Sequence, residues 1–395
     1  MGARHFDAPG VIQMSDVQGV SDSRFDGLRE VFTSQLASGE DLGASLALRI
    51  DDKPLVDLWG GWSDGAQTRP WQRDTIVNVW STTKTMTNLC ALILHDRGLL
   101  DVYEKVSTYW PEFGANGKEA IEVRHLLSHT SGVSGWAQPI TLEDIYNREA
   151  STAHLAAQAP WWEPGSASGY HAMSQGHLVG EVVRRVSGRT LGQFFAEHVA
   201  GPLGADFHIG LDPKEFGRVS NIIPPPPLGA SIDFSTLDPD GPAMKTFTGP
   251  MSEASTANTD AWRRAEIGAA NGHGNARSVA LVQSVVANGG SANGVQLLSP
   301  DTIKVIFDEQ SNGVDLVLGI PLRFGIGYGL PEPTTLAYLP DEPGICFWGG
   351  YGGSMVIVDT TRKMTLAYMM NRMSPGIIGS PTSAALITAA YQAVS

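Results

Sequence analysis

Cysteine is nearly absent: Cys90 and Cys346 are the two in 395 residues. That excludes a disulfide framework and a cysteine-built metal cluster, and Cys90 reads as a packed core thiol. Positive charge is scarce as well. Lys plus Arg is 27 against 41 Asp plus Glu, a net charge of −14, and no run of five basic residues occurs. A nucleic-acid partner or an anionic membrane surface is therefore disfavoured. Long apolar runs are missing too. The longest, Leu89 to Leu94, falls far short of the ~18 residues a membrane span needs. The start, Met1-Gly2-Ala3-Arg4-His5-Phe6, lacks the apolar stretch of a secretory signal, so a cytoplasmic location is expected.

What is present is a core-rich composition, with 42% hydrophobic and 17% charged residues, which is that of a folded chain rather than a disordered one. At about 150 residues per domain, two or three compact units are expected. Apolar spacing predicts a helix from Arg24 to Ala37, with Asp22 as its cap and Gly39 as its stop. A hairpin follows, Ala44 to Ile50 and Leu55 to Trp59, turning through Asp51-Asp52-Lys53-Pro54. Near the other end, Ser354 to Asp359 turns into Met364 to Asn371, and a helix runs from Thr382 onward. Three more helices are read at Ser81–Arg97, Ser174–Val186 and Ser278–Ala287, and Pro224 to Pro227 must form a surface loop. Strands from both ends are thus expected to pair in one antiparallel sheet flanked by helices, an α/β protein of the α+β type. The borders read 15–98 with 270–395 for the α/β domain and 99–269 for a mostly helical insertion.

Ser81-Thr82-Thr83-Lys84 opens the Ser81–Arg97 helix, which is apolar nearly all round. Residues three apart share a helical face, so the Ser81 hydroxyl and the Lys84 ammonium can meet. By itself this tetrapeptide, which recurs by chance in many chains, reads as an N-cap serine beside a solvated lysine. Lys84 nevertheless lies inside an apolar stretch, where an ammonium needs a partner.

Ser81-x-x-Lys84, His125-Leu126-Leu127-Ser128-His129-Thr130-Ser131-Gly132, Gly169-Tyr170-His171-Ala172 and Trp348-Gly349-Gly350, in that order, resemble the serine β-lactamase-like superfamily. The last two motifs are similar to those of the carboxylesterases of its class C-like branch, the family VIII esterases. The resemblance runs from about residue 20 to the C-terminus. It implies a β-lactamase/penicillin-binding-protein-like fold, with Ser81 as nucleophile, Lys84 as its partner and Tyr170 as general base. It also implies an oxyanion hole from the backbone N–H groups of Ser81 and Tyr351, beside Trp348, Gly349 and Gly350 on a strand edging the site. Serving as base near pH 7 would require a depression of roughly 3 units in the tyrosine pKa, or about 4 kcal/mol, and a Lys84 cation is expected to supply part of it.

Two departures from the β-lactamase pattern bear on substrate. Trp348 stands where those enzymes carry a cation, and Ala172 stands where a Tyr-x-Asn motif carries its amide. Lys245 does not replace the cation, since it lacks the following glycine and is expected in a loop. Short-chain neutral esters are favoured, hydrolysed through an acyl-enzyme, with slow β-lactam turnover still compatible. An acyltransferase or an amide hydrolase could use the same residues, and a silent binding protein could use the same scaffold. Trp136, Trp161 and Trp162 either line an acyl pocket or pack the core, and His273 shapes the rear of the cleft. His125 and His129 lack the third ligand and intervening Glu of a zinc site. No metal or organic cofactor is implied, and the partner expected is a small-molecule ester.

Overall fold

The structure is a computed structural model that describes residues 17–225, 234–250 and 252–394. Its frame is a nine-stranded antiparallel sheet. In spatial order the strands are Gln18–Ser21, Lys53–Gly61, Gly43–Ile50, Met364–Met370, Met355–Asp359, Ile345–Gly349, Gly329–Leu330, Pro321–Phe324 and Ser311–Val314. The two ends of the chain meet at its centre, where Ala47 lies opposite Ala367 and Ile50 opposite Met364. Gly43–Ile50, Met355–Asp359 and Met364–Met370 are buried along almost their whole length, as strands must be when both faces are covered. The covering helices include Ala276–Ala287, packed across all three of these strands or their neighbours, and the pair Asp26–Ser38 and Pro381–Val394, packed on each other.

Local chemistry accounts for the borders. Asp22 accepts from the Arg24 N–H at 3.0 Å and starts a short 3₁₀ turn that leads into Asp26–Ser38. Gly39 ends that helix at φ +78°, a conformation glycine adopts without steric cost. The helix expected from Ser278 begins earlier, at Ala276, because Asn275 and Ser278 cap one another reciprocally. Lys245, expected in a loop, instead sits on the short helix Pro242–Thr248, where Pro242 occupies the first turn it favours. Pro224 and Pro225 are irregular, as expected; Pro226 and Pro227 lie outside the described residues.

Between the N-terminal hairpin and the C-terminal strands lies the helical part of the chain. Its principal helix, Ser174–Ser187, packs on Thr83–Asp96. The latter helix is buried from Thr83 through Leu94. It therefore serves as the shared core between the sheet side and the helical side.

Candidate active site

Ser81 does not lie in the α-helix itself. It sits in a 3₁₀ turn, Trp80–Thr82, and the α-helix starts at Thr83. The break comes from Trp80, whose φ of +48° is unusual for a bulky residue and costs on the order of 1–3 kcal/mol. Surrounding packing enforces it: the Trp80 ring stands 5.6 Å from Trp262 and 5.7 Å from Tyr351, centroid to centroid. Thr83 Oγ1 bonds the Trp80 carbonyl and accepts from the Gly272 N–H at 2.9 Å, which stitches the turn to the chain beside His273.

Lys84 is fully enclosed, 1% exposed. Its Nζ lies 3.2 Å from Ser81 Oγ and donates to the carbonyls of Ala172 at 2.8 Å and Ala269 at 3.0 Å. Nζ also lies 4.6 Å from the centre of the Tyr170 ring. The Trp348 indole N–H donates to the Tyr170 hydroxyl at 3.3 Å. Four sequence-predicted residues, Ser81, Lys84, Tyr170 and Trp348, are thus brought together from three separate parts of the chain. Trp348 and Ala172, the two departures, both spend polar groups inside the site: the indole N–H on the phenol, the carbonyl on Lys84.

The electrostatics reverse one expectation. Burial, with no compensating carboxylate, holds Lys84 well below the ordinary lysine value. Burial also raises the Tyr170 phenol, and hydrogen bonding from Ser81 and Trp348 offsets only part of that. Burial thus works against the charged form of both groups, and the expected depression of the tyrosine is not found. The reason is that two charges in so enclosed a place each lose their hydration.

The Trp348-Gly349-Gly350 strand end presses on the Ser81 turn. A Cβ on Gly350 would lie 2.4 Å from the Val79 carbonyl and 3.0 Å from Trp80 Cβ, so no larger residue fits there. Ser354 Oγ donates to the same Val79 carbonyl at 2.9 Å, and Thr82 and Ser354 hydroxyls lie 3.1 Å apart. Tyr351, named for the oxyanion hole, follows directly.

Tyr170 is held by its flanks. The Gly169 N–H donates to the His129 carbonyl at 2.9 Å, and the His171 N–H to His129 Nδ1 at 3.1 Å. The Tyr170 N–H donates to Asp315 Oδ1 at 2.9 Å. His171 Nδ1 bonds the Gly169 carbonyl while Nε2 meets Ser131 Oγ, each at 2.6 Å; burial lowers this imidazole to about 3. His129 packs its ring on Tyr170, Phe324 and Trp348. The Ser128–Gly132 segment is therefore a bracket for the tyrosine. Trp162 packs on His171, the residue that follows Tyr170.

Other predicted residues stand apart. The Trp136 indole N–H donates to Ser151 and its ring stands edge-on to His177, so its contacts are those of the helical core. Trp161 faces Lys245, whose Nζ is 5.8 Å from the ring. His273 is completely buried on the short strand His273–Gly274, paired with Asn78 and His208; burial lowers it to about 3. Among the described residues no group of His, Cys, Asp and Glu could hold a metal, and no helix is long and apolar enough to cross a membrane. One pattern escapes the sequence reading: Gly61-Trp62-Ser63-Asp64-Gly65 matches Gly-x-Ser-x-Gly. Ser63 carries no such role in this fold. Its hydroxyl donates to the Arg69 carbonyl at 3.1 Å, with no helix following it.

Sheet and helical region together define a β-lactamase-type fold, and the chain belongs to the Beta-lactamase family, whose model matches residues 28–386. Among its relatives is the "Esterase/beta-lactamase LipL" of Mycobacterium tuberculosis, 33% identical over 372 residues, covering 90% of this chain and 83% of that one. Among solved structures, a family VIII carboxylesterase superposes with a TM-score of 0.89 at 38% identity, covering 96% of this chain and 100% of that one. A penicillin-binding protein homologue from Caulobacter crescentus matches with the same score, identity and coverage.

Proposed function

We propose that this protein is a carboxylesterase that hydrolyses short-chain esters through an acyl-enzyme on Ser81. The convergence of Ser81 Oγ, Lys84 Nζ, the Tyr170 hydroxyl and the Trp348 indole in one enclosed cluster carries the reading. Relatives named as esterases support it. The cleft would lie where residues 15–98 and 270–395 meet residues 99–269.

A neutral lysine has two N–H groups and one lone pair. The Ala172 and Ala269 carbonyls take the two hydrogens, leaving the lone pair for the Ser81 hydroxyl. Lys84 then accepts the Ser81 proton as Oγ attacks the ester carbonyl, with the Ser81 and Tyr351 N–H groups receiving the oxyanion. The new ammonium makes Tyr170 easier to ionise, and its proton passes to the departing alkoxide. The resulting phenolate takes a proton from the water that attacks the acyl-enzyme, and the Lys84 ammonium returns its proton to Ser81 Oγ as the carboxylic acid departs. Tyr170 thus works as a base in the second half of the cycle, against a Lys84 cation formed during turnover.

Loss of both polar handles for an anionic amide favours neutral esters. Trp348 has its one donor engaged on Tyr170, and Ala172 offers no side-chain amide. Slow β-lactam turnover is a further expectation from the same site. The deciding experiment is hydrolysis of p-nitrophenyl butyrate by the wild type and Ser81→Ala side by side, with nitrocefin as second substrate. Turnover by the wild type alone, with nitrocefin much slower, is expected. Equal inertness of the two proteins sinks the esterase reading, and a competing alcohol acceptor then tests acyl transfer.

A further inference from the structure

Asp315 belongs to no motif and lies in a turn after the edge strand Ser311–Val314. Its carboxylate is nevertheless completely buried. Oδ1 accepts three backbone N–H groups at 2.9 Å each: those of Val317 and Leu318 in its own turn, and that of Tyr170. One bond further along, the Leu316 N–H donates to the Ser168 carbonyl at 2.9 Å, so the turn lies on the Tyr170 segment like a short strand.

This placement matters because of what holds the neighbouring positions. Gly169 and His171 direct their N–H groups to His129, on one side of the segment. Tyr170, between them, directs its N–H to Asp315. The peptide that carries the phenol is therefore gripped from opposite partners at three consecutive residues. A buried N–H left without its acceptor would draw the segment toward another partner. The phenol oxygen, at the far end of a rigid side chain, would move with it.

We propose that Asp315 is a positioning residue for the reaction: its Oδ1 fixes the Tyr170 peptide so that the phenol meets Ser81 and Trp348. The proposal rests on the reading that Ser81, Lys84 and Tyr170 form the acyl-transfer site. It requires an acceptor oxygen at position 315 rather than a negative charge, so asparagine should serve and alanine should not. Asparagine keeps a carbonyl oxygen where Oδ1 stands, and Oδ2, which has no hydrogen-bond partner, is where its amide nitrogen would go.

The test uses fluorophosphonate labelling of Ser81, which reads the nucleophile without needing an ester to be turned over. Asp315→Ala is expected to slow the labelling rate constant by about tenfold or more with reagent affinity little changed, because a displaced phenol no longer orients the Ser81 hydroxyl to which it is hydrogen-bonded. Asp315→Asn is expected to restore most of the rate. In a Tyr170→Phe background, Asp315→Ala should cause little further loss, because the residue acts through the tyrosine. Equal slowing by Asn and Ala, an undiminished Ala effect in the Tyr170→Phe background, or wild-type labelling by the Ala variant each overturns the proposal. If Asp315→Ala fails to fold, Asp315→Asn and Asp315→Leu, compared by the same labelling, decide it. A wild type that labels at Ser81 yet hydrolyses no ester removes the esterase reading and leaves this assignment standing. A wild type that does not label removes both.

Discussion

Two lysines, Lys84 and Lys118, are buried among the described residues, and their surroundings differ in the third partner of the amine. Lys118 donates to three backbone carbonyls, those of Ala115 at 2.8 Å, Ala156 at 3.0 Å and Gln158, with the Phe113 ring beside it. Three acceptors satisfy all three hydrogens of an ammonium. Lys84 has two carbonyls and a hydroxyl. A hydroxyl can accept a hydrogen or give one, so this third position does not fix the amine as a cation. Burial lowers both groups, Lys84 further. The same side chain is held by three backbone oxygens in one place, and by two with a hydroxyl as its third partner in the other.

The largest effect that could break this comparison is loss of the third partner. Ser81→Ala should abolish ester hydrolysis by ~10⁴-fold or more, as removal of a nucleophile does elsewhere, while thermal melting shows a fold left intact. Next come the lysines themselves. Lys84→Met should remove activity by a factor of ~10³, within the range for loss of a positioned proton acceptor. Lys118→Met should leave kcat near the wild-type value but cost about 2–4 kcal/mol of stability, because three buried carbonyls lose their donors. Denaturant melts and steady-state rates on the two variants check the pair; a Lys118→Met enzyme that is stable and inactive would reverse the assignment.

The pH dependence sharpens it further. In the proposed mechanism Lys84 must be neutral to accept a proton, so kcat/KM should fall as pH drops through a folded-state pKa well below 10.5. A lysine whose folded pKa is depressed binds fewer protons in the native state than in the unfolded one. Its contribution to stability therefore rises with pH between the folded value and the ordinary one. The difference in unfolding free energy between wild type and Lys84→Met, followed across that window, should show the rise; a flat difference would mean Lys84 stays charged. The smallest effect concerns the strand end that presses on the turn. Gly350→Ala puts a methyl 2.4 Å from the Val79 carbonyl, a clash with backbone that should cost about 1–3 kcal/mol in melting experiments and lower kcat more than it raises KM.

Ser81 and Lys84 were legible because a spacing of three residues brings them together even across the junction of the 3₁₀ turn and the helix, and hydrophobic periodicity located that helix. The pairing of the terminal strands was legible for a similar reason, since each hairpin announces itself locally. Tyr170, Trp348 and Gly350 became readable through ordered motifs, which stand in for three-dimensional information that periodicity does not hold. Ala269, whose carbonyl completes the Lys84 environment, has no chemistry in its side chain and left no trace. Asp315 was lost among 41 acidic residues, because its importance lies in a contact 145 positions away. The direction of the Tyr170 shift was not legible for a related cause. Spacing shows that a lysine and a tyrosine can meet, but whether they are charged depends on how completely the rest of the chain encloses them. Trp136 shows the same limit from the other side, since an aromatic residue near a motif is drawn into the core by Ser151 and His177, neither of them its neighbour in sequence.

The meeting of both chain ends at the centre of the sheet has a consequence for synthesis. Ser81 and Lys84 leave the ribosome early, and Tyr170 before the midpoint. The strand that brings Trp348 and Gly350, and the strand Met364–Met370 that zips against Gly43–Ile50, come last. A nascent chain therefore holds Ser81 for most of its elongation without the strand end that packs against its turn. The same order makes the final segment a checkpoint: a chain cut short before Met364 leaves Gly43–Ile50 as an open, apolar edge, which marks an unfinished molecule for chaperones or for degradation.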